Sequence, residues 1–161
     1  MDRLWSPWRY RYVSTATPDD RCIFCVKALE DTDEENLILF RGERNFVLLN
    51  LYPYSSGHLM VAPYEHVATL EEAPEETATE LMQLTRRAQR HLREEYRPHG
   101  YNVGMNIGAA GGAGVAGHIH MHVLPRWTGD ANFMTTIAET RVIPEDLGIA
   151  WQKLREAFKR G

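Results

Sequence analysis

Residues 118–124 read His-Ile-His-Met-His-Val-Leu. In an extended chain, alternate side chains leave on opposite faces. A strand over His118–Leu124, ended by Pro125, therefore carries His118, His120 and His122 on one face. Ile119, Met121 and Val123 face the other way, into a core. Next-but-one residues lie about 6.6–6.8 Å apart along a strand, so neighbouring imidazoles can meet one substrate or share one metal. Imidazole titrates near neutrality, which suits proton handling, nucleophilic attack or metal binding. An ordinary polar strand face is equally well built from Thr, Lys or Glu.

The run is preceded by residues 108–117, Gly-Ala-Ala-Gly-Gly-Ala-Gly-Val-Ala-Gly. Such a loop has little to offer except backbone N–H groups free to turn toward an anion. It fits neither common phosphate-loop fingerprint, because no Lys-Ser/Thr pair follows it and it leads into a strand. The signal is the combination of an anion-friendly loop with a histidine face.

Around this segment the pattern alternates between strand and helix. Asn36–Phe40 and Phe46–Leu49 are short apolar runs separated by Arg-Gly-Glu-Arg-Asn, which predicts a hairpin. Gly57–Ala62 predicts a further strand, stopped by Pro63, and Tyr101–Ile107 another. Between them, Leu81, Leu84, Ala88 and Leu92 recur at helical spacing within Pro74–Tyr96. Pro74, Glu75 and Glu76 suit the start of that helix, and Pro98 and Gly100 its end. A second helix is expected over Ile149–Lys159, within a C-terminal helical stretch 145–161. Residues 1–21, with Trp5, Trp8 and Tyr10, read as an extended arm packed on the body or on a second subunit. With no repeat or dividing linker, the expectation is one α+β domain over residues 1–161. It would hold an antiparallel sheet of about five strands, packed with one long and one C-terminal helix.

The 161 residues suffice for a core without disulfides. No apolar stretch reaches membrane-spanning length, and the first residues lack the apolar core of a signal peptide. The expected location is the cytoplasm, with no membrane partner. A net charge of −4 argues against a nucleic-acid polymer as partner. Both cysteines fall in Cys22-Ile-Phe-Cys25, a spacing that suits a metal site or a redox pair in a reduced compartment. Two cysteines need two further ligands to close a tetrahedral site.

The seven residues from His118 resemble the signature of the histidine triad family, His-x-His-x-His-x-x with hydrophobic x. The resemblance extends to Asn50, to Ser56-Gly57-His58-Leu59-Met60-Val61, and to the Cys22/Cys25 motif. Leu4–Arg9, Arg126-Trp127 and Gly129-Asp130-Ala131-Asn132-Phe133 resemble a bacterial branch that includes diadenosine tetraphosphate phosphorylases. The resemblance implies a homodimer that binds nucleotides, adenine nucleotides favoured, with no organic cofactor. It implies His120 as nucleophile toward the α-phosphorus and His122 as hydrogen-bond partner of the phosphate oxygens, with His58 beside them. It also implies amides of Gly112, Ala113 and Gly114 as charge stabilisers, Asn50 on the ribose, and Asn106 facing the phosphates or the leaving group. For Cys22 and Cys25 it supplies His66 and His118 as partners in a structural zinc site. Phosphorylases of the branch carry a serine where Gly114 stands, so water and inorganic phosphate both stay open as second acceptor. Two other readings also remain: a hydrolase holding zinc on the three strand histidines, and a nucleotide-binding regulatory protein with little catalysis. The base pocket is expected around Leu4–Trp8, Phe24 and Phe46–Leu48.

Overall fold

A computed structural model describes residues 21–131 and 145–161. The expected arm therefore lies outside the described residues, as do Asn132 and Phe133 and the Leu4–Trp8 part of the base pocket. The elements are α1 (Ile23–Leu29), β1 (Ile38–Arg41), β2 (Asn45–Leu49), β3 (Leu59–Pro63), α2 (Glu75–Tyr96), β4 (Gly100–Gly104), β5 (Met121–Arg126) and α3 (Leu147–Arg160). The strands form one antiparallel sheet in the order β1-β2-β3-β5-β4. This is the expected α+β architecture, with an additional short helix, α1.

Each face of the sheet has its own apolar layer. On one face Val47, Leu49, Leu59, Val61, Met121 and Val123 pack against Leu81, Leu84, Ala88 and Leu92 of α2 and Leu154 and Phe158 of α3. The stripe that predicted α2 is the stripe it buries. α3 starts directly after Asp146, whose carboxylate accepts from the N–H of Gly148 at 2.8 Å and caps the helix. On the opposite face a smaller layer joins Phe24 of α1 to Ile38, Phe46, Leu48, Met60 and Ala62.

The β1–β2 hairpin is stapled to α2 by Glu80. Its carboxylate accepts from the N–H of Glu43, the N–H of Arg44 and the amide of Asn45, each at 2.8 Å.

The boundaries of β4 and β5 differ from expectation, because neighbouring strands and loops set them. The histidine strand joins the ladder only at Met121, which pairs with Val61. Before it, the carbonyl of Pro63 is taken by the His118 ring at 2.9 Å, and Pro63 has no N–H to offer. Ile119 donates instead to the carbonyl of Val67 at 2.9 Å. At the other end Pro125 lies inside β5, opposite Tyr101. The β3 side of β5 is already unpaired there, so the missing N–H breaks no ladder bond. Because β5 starts late, β4 ends at Gly104, opposite His122, and not at Ile107.

Candidate active site and metal centre

Three cross-strand pairs line up in one row on the α1 face: His122 with Met60, Met60 with Leu48, and Leu48 with Ile38. α1 lies over this row, and a cleft opens beside it. The cleft is lined by Ile23, Phe24 and Lys27 of α1, by Leu48, Asn50 and Met60, by Gly112, Gly114 and Val115 of the glycine loop, and by Asn106, His120 and His122.

The hydrogen bonds of the histidines assign their tautomers. Nδ1 of His120 lies 2.9 Å from the carbonyl oxygen of His118. A carbonyl only accepts, so Nδ1 carries the proton and Nε2 keeps a bare lone pair. The ring is 5% exposed, against Phe24 at 4.8 Å and His122 at 4.9 Å between centroids. Burial holds its pKa below the usual histidine value, with the bond to His118 opposing. The neutral, nucleophilic form is thereby favoured.

His122 receives its tautomer from behind. The N–H of Tyr54 donates to Nδ1 of His58 at 3.1 Å, so His58 is protonated on Nε2. That nitrogen lies 2.9 Å from Nδ1 of His122 and donates to it. Nε2 of His122 then carries a hydrogen, a donor on a ring that lines the cleft. Burial, reinforced by the neighbouring imidazoles, pushes His58 down to about 3 and His122 to about 4. Gly57, at φ +74°, makes the turn into His58; a Cβ there would meet Leu92 at 3.0 Å.

This chain of bonds has a consequence for acid stability. Both imidazoles are neutral in the folded protein and titrate near 6.5 once unfolded. Their contribution is complete above about pH 6.5 and is lost as the pH falls below it toward 4 and 3. Each group adds a slope of up to about 1.4 kcal/mol per pH unit. The urea midpoint is expected to fall between pH 6.5 and 4.5, and to fall less steeply in a His58→Asn/His122→Asn double variant. Equal slopes in the two proteins would count against the pair.

A second cluster lies at the entrance to β5. One ligand atom each from Cys22, Cys25, His66 and His118 falls within 4.8 Å of the others. Sγ of Cys22 is 3.3 Å and Sγ of Cys25 3.6 Å from Nδ1 of His118; Sγ of Cys25 is 3.3 Å from Nδ1 of His66. Zinc bonds of about 2.3 Å to sulfur and about 2.0–2.1 Å to nitrogen give a tetrahedral sulfur–nitrogen edge of about 3.6 Å. The distances approach that edge. Nε2 of His118 donates to the Pro63 carbonyl, which leaves Nδ1 bare toward the thiols. The donor set fits a closed structural zinc site, with Pro63 orienting one ligand.

A model of the HIT domain matches residues 31–129. An AP-4-A phosphorylase of Mycobacterium tuberculosis is 43% identical over 152 residues, covering 90% of this chain and 78% of its own length. This chain belongs to the HIT domain family. Among solved structures, a Zn-bound histidine triad family protein from Mycobacterium smegmatis superposes with a TM-score of 0.69 at 27% identity, covering 88% of this chain and 95% of its own. A Plasmodium falciparum diadenosine triphosphate hydrolase shares the fold, with a TM-score of 0.59 at 10% identity over 77% of this chain and 75% of its own.

Within this HIT domain the expected site residues separate into three groups. His120, His122, Asn50, Asn106, Gly112 and Gly114 come together around the cleft. His58 does not reach it: the ring is fully buried behind His122, because Tyr54 and His122 occupy both of its nitrogens. His118 shares the α1 face but turns to the thiols, so the three strand histidines do not converge on one metal. Cys22/Cys25/His66/His118 is the only metal-competent cluster among the described residues.

The glycine loop differs in detail. The N–H of Gly112 donates to Ala109 at 3.0 Å and that of Ala113 to Gly108 at 3.2 Å. Gly112 holds φ at +86° to make this turn. Both amides are engaged within the loop, and Ala113 does not line the cleft. Oδ1 of Asn50 accepts from the N–H of Tyr52 at 2.9 Å, and its Nδ2 donates to Nδ1 of His58 at 3.4 Å, so both ends of the amide are held at the cleft wall. In the base region Phe24 and Leu48 line the cleft, whereas Phe46 stacks on Tyr64. Sequence reasoning missed Lys27, Ile23 and Met60. The only signal was their place beside Cys25 and His58 in motifs read for other purposes.

Proposed function

We propose that the chain is a nucleotidyl-transferring enzyme that cleaves dinucleoside polyphosphates of the diadenosine tetraphosphate type at the α-phosphorus. The observation that carries this reading is the opposite protonation of two adjacent cleft histidines. His120 presents a bare Nε2 and His122 presents an N–H. The first is a nucleophile and the second a donor to the oxygen on which charge develops. The Nε2 lone pair of His120 bonds to phosphorus as the bond to the bridging oxygen breaks, and the polyphosphate departs with that electron pair. An oxygen of water or of inorganic phosphate then attacks the nucleotidyl-histidine, and Nε2 recovers its lone pair. Asn50 lies where the ribose would follow. Asn106 and the loop carrying Gly112, Ala113 and Gly114 lie on the phosphate side, with Gly114 the cleft-lining candidate for a free amide. The name of the M. tuberculosis relative supports phosphate as second acceptor; the absence of a side chain at Gly114 supports water.

Product analysis with and without inorganic phosphate tests this. ADP plus ATP from diadenosine tetraphosphate indicates phosphorolysis, and AMP plus ATP indicates hydrolysis. Two ADP, or no cleavage of any dinucleoside polyphosphate, overturns attack at the α-phosphorus; AMP binding without turnover would leave a nucleotide-binding regulator.

The Cys22/Cys25/His66/His118 cluster would hold structural zinc, which supplies cross-linking of α1 to the start of β5 and no open position for substrate. The Zn-bound M. smegmatis relative supports it. A homodimer is supported by β4, a sheet edge whose Asn102, Val103 and Gly104 are exposed. No helix among the described residues is long and apolar enough to cross a membrane. A cytoplasmic location rests on this and on the reduced thiols that the site requires.

A further inference from the structure

The row Ile38–Leu48–Met60–His122 gives the cleft two ends. With strands about 4.8 Å apart, three steps separate His122 from Ile38 by about 14 Å. Chemistry sits at the β5 end, beside His120 and His122. Between the ends the cleft is apolar, with Leu48 and Met60 below and Ile23, Phe24 and Val115 around it. That middle suits a flat, uncharged ring and suits a phosphate badly.

The far end holds a fixed cation. Lys27 follows Phe24 by three residues and Ile23 by four, so all three share one side of α1, and all three line the cleft. Nζ of Lys27 donates to the carbonyl of Asn36 at 3.1 Å and to its Oδ1 at 3.2 Å. Asn36 is itself 8% exposed and is held by Glu30 at 2.7 Å and Thr32 at 3.0 Å, two residues before Ile38. The ammonium is therefore anchored at the β1 end. It has three N–H donors, and Asn36 accepts two of them. Lys27 is half-buried, so its ammonium has given up part of its water. A partly dehydrated cation beside an apolar slot is a poor filler and a good reader of a polar ring edge.

We propose that Lys27 is a specificity-determining residue that donates to an acceptor on the edge of the nucleobase. The inference rests on the nucleotide reading above and deepens it. With the α-phosphorus at His120 and the ribose near Asn50, the base lies over Leu48 and Met60 and turns its edge toward Lys27. An ammonium can only donate, so it selects a base with ring nitrogens or keto oxygens there. Purine N7, and O6 of guanine, have this character.

The test measures binding of AMP and of 1-deaza-, 3-deaza- and 7-deaza-AMP to the full chain, wild type against Lys27→Met and Lys27→Arg. In the wild type, removing the nitrogen that Lys27 reads is expected to weaken binding about tenfold, the scale of one hydrogen bond to a charged donor. In Lys27→Met the same analogue and AMP bind equally, and Lys27→Arg restores a preference. Thermal melting of each variant separates loss of fold from loss of contact. The inference is overturned if no deaza analogue is penalised in the wild type, or if the penalty survives unchanged in Lys27→Met. Failure of AMP to bind the wild type at all would instead remove the nucleotide reading, and this inference with it.

Discussion

His120→Ala is expected to lower turnover of diadenosine tetraphosphate by on the order of a thousandfold or more, the scale on which loss of a catalytic nucleophile is felt. AMP affinity should change only a few-fold. The reason is the division of labour in the cleft. In the proposed mechanism His120 makes the covalent bond, whereas the other cleft-lining groups, His122, Asn50 and the apolar floor, would hold the ligand whether or not that bond forms. The ring is also packed against Phe24, and its Nδ1 satisfies the carbonyl of His118. Some loss of melting temperature is therefore expected, and it must be measured apart from turnover. His122→Asn should behave differently, keeping the nucleophile and losing only a donor to the phosphoryl oxygen, at about 10²–10³-fold. Undiminished cleavage by His120→Ala would end the proposed chemistry.

The parts of this architecture that were legible in the sequence are those that depend on neighbours a few residues away. The alternation around His120 announced the face it shares with His122, and the Leu81–Leu92 stripe announced the buried side of α2. The glycine loop marked where side chains were withdrawn. Boundaries and second partners were illegible because they are set by residues far along the chain. The late start of β5 depends on Pro63, 55 positions before His118. The hidden place of His58 depends on the N–H of Tyr54 and on a ring 64 positions away. α1 is only seven residues long, below the length at which helical periodicity can be told from a motif in a loop. Once it forms, Lys27 becomes part of the cleft. The place of His66 and His118 in the proposed zinc site was indicated by family resemblance; nothing in their spacing alone pairs them with Cys22 and Cys25.

That cluster carries the second large effect. A Cys22→Ser/Cys25→Ser variant is expected to lose one zinc per chain by metal analysis and to melt about 10 °C or more below the parent. A structural zinc supplies on the order of 10 kcal/mol of apparent binding energy, much of it expressed as folding stability, and each kcal/mol moves the melting point of a chain this size by about 2–4 °C. The effect should also reach the cleft, because His118 stands at three junctions. Its Nδ1 faces the thiols, its Nε2 holds Pro63, and its carbonyl fixes the tautomer of His120. Without the metal the His118 backbone is less constrained, and the bare nitrogen of His120 is held less firmly in line with phosphorus. Where the variant is still folded, turnover should fall about 10–100-fold, the usual cost of disturbing an outer-shell partner, and AMP affinity should fall much less. Purified wild-type chain without zinc, or a double variant that melts with the parent, would show that the four side chains meet for some other reason.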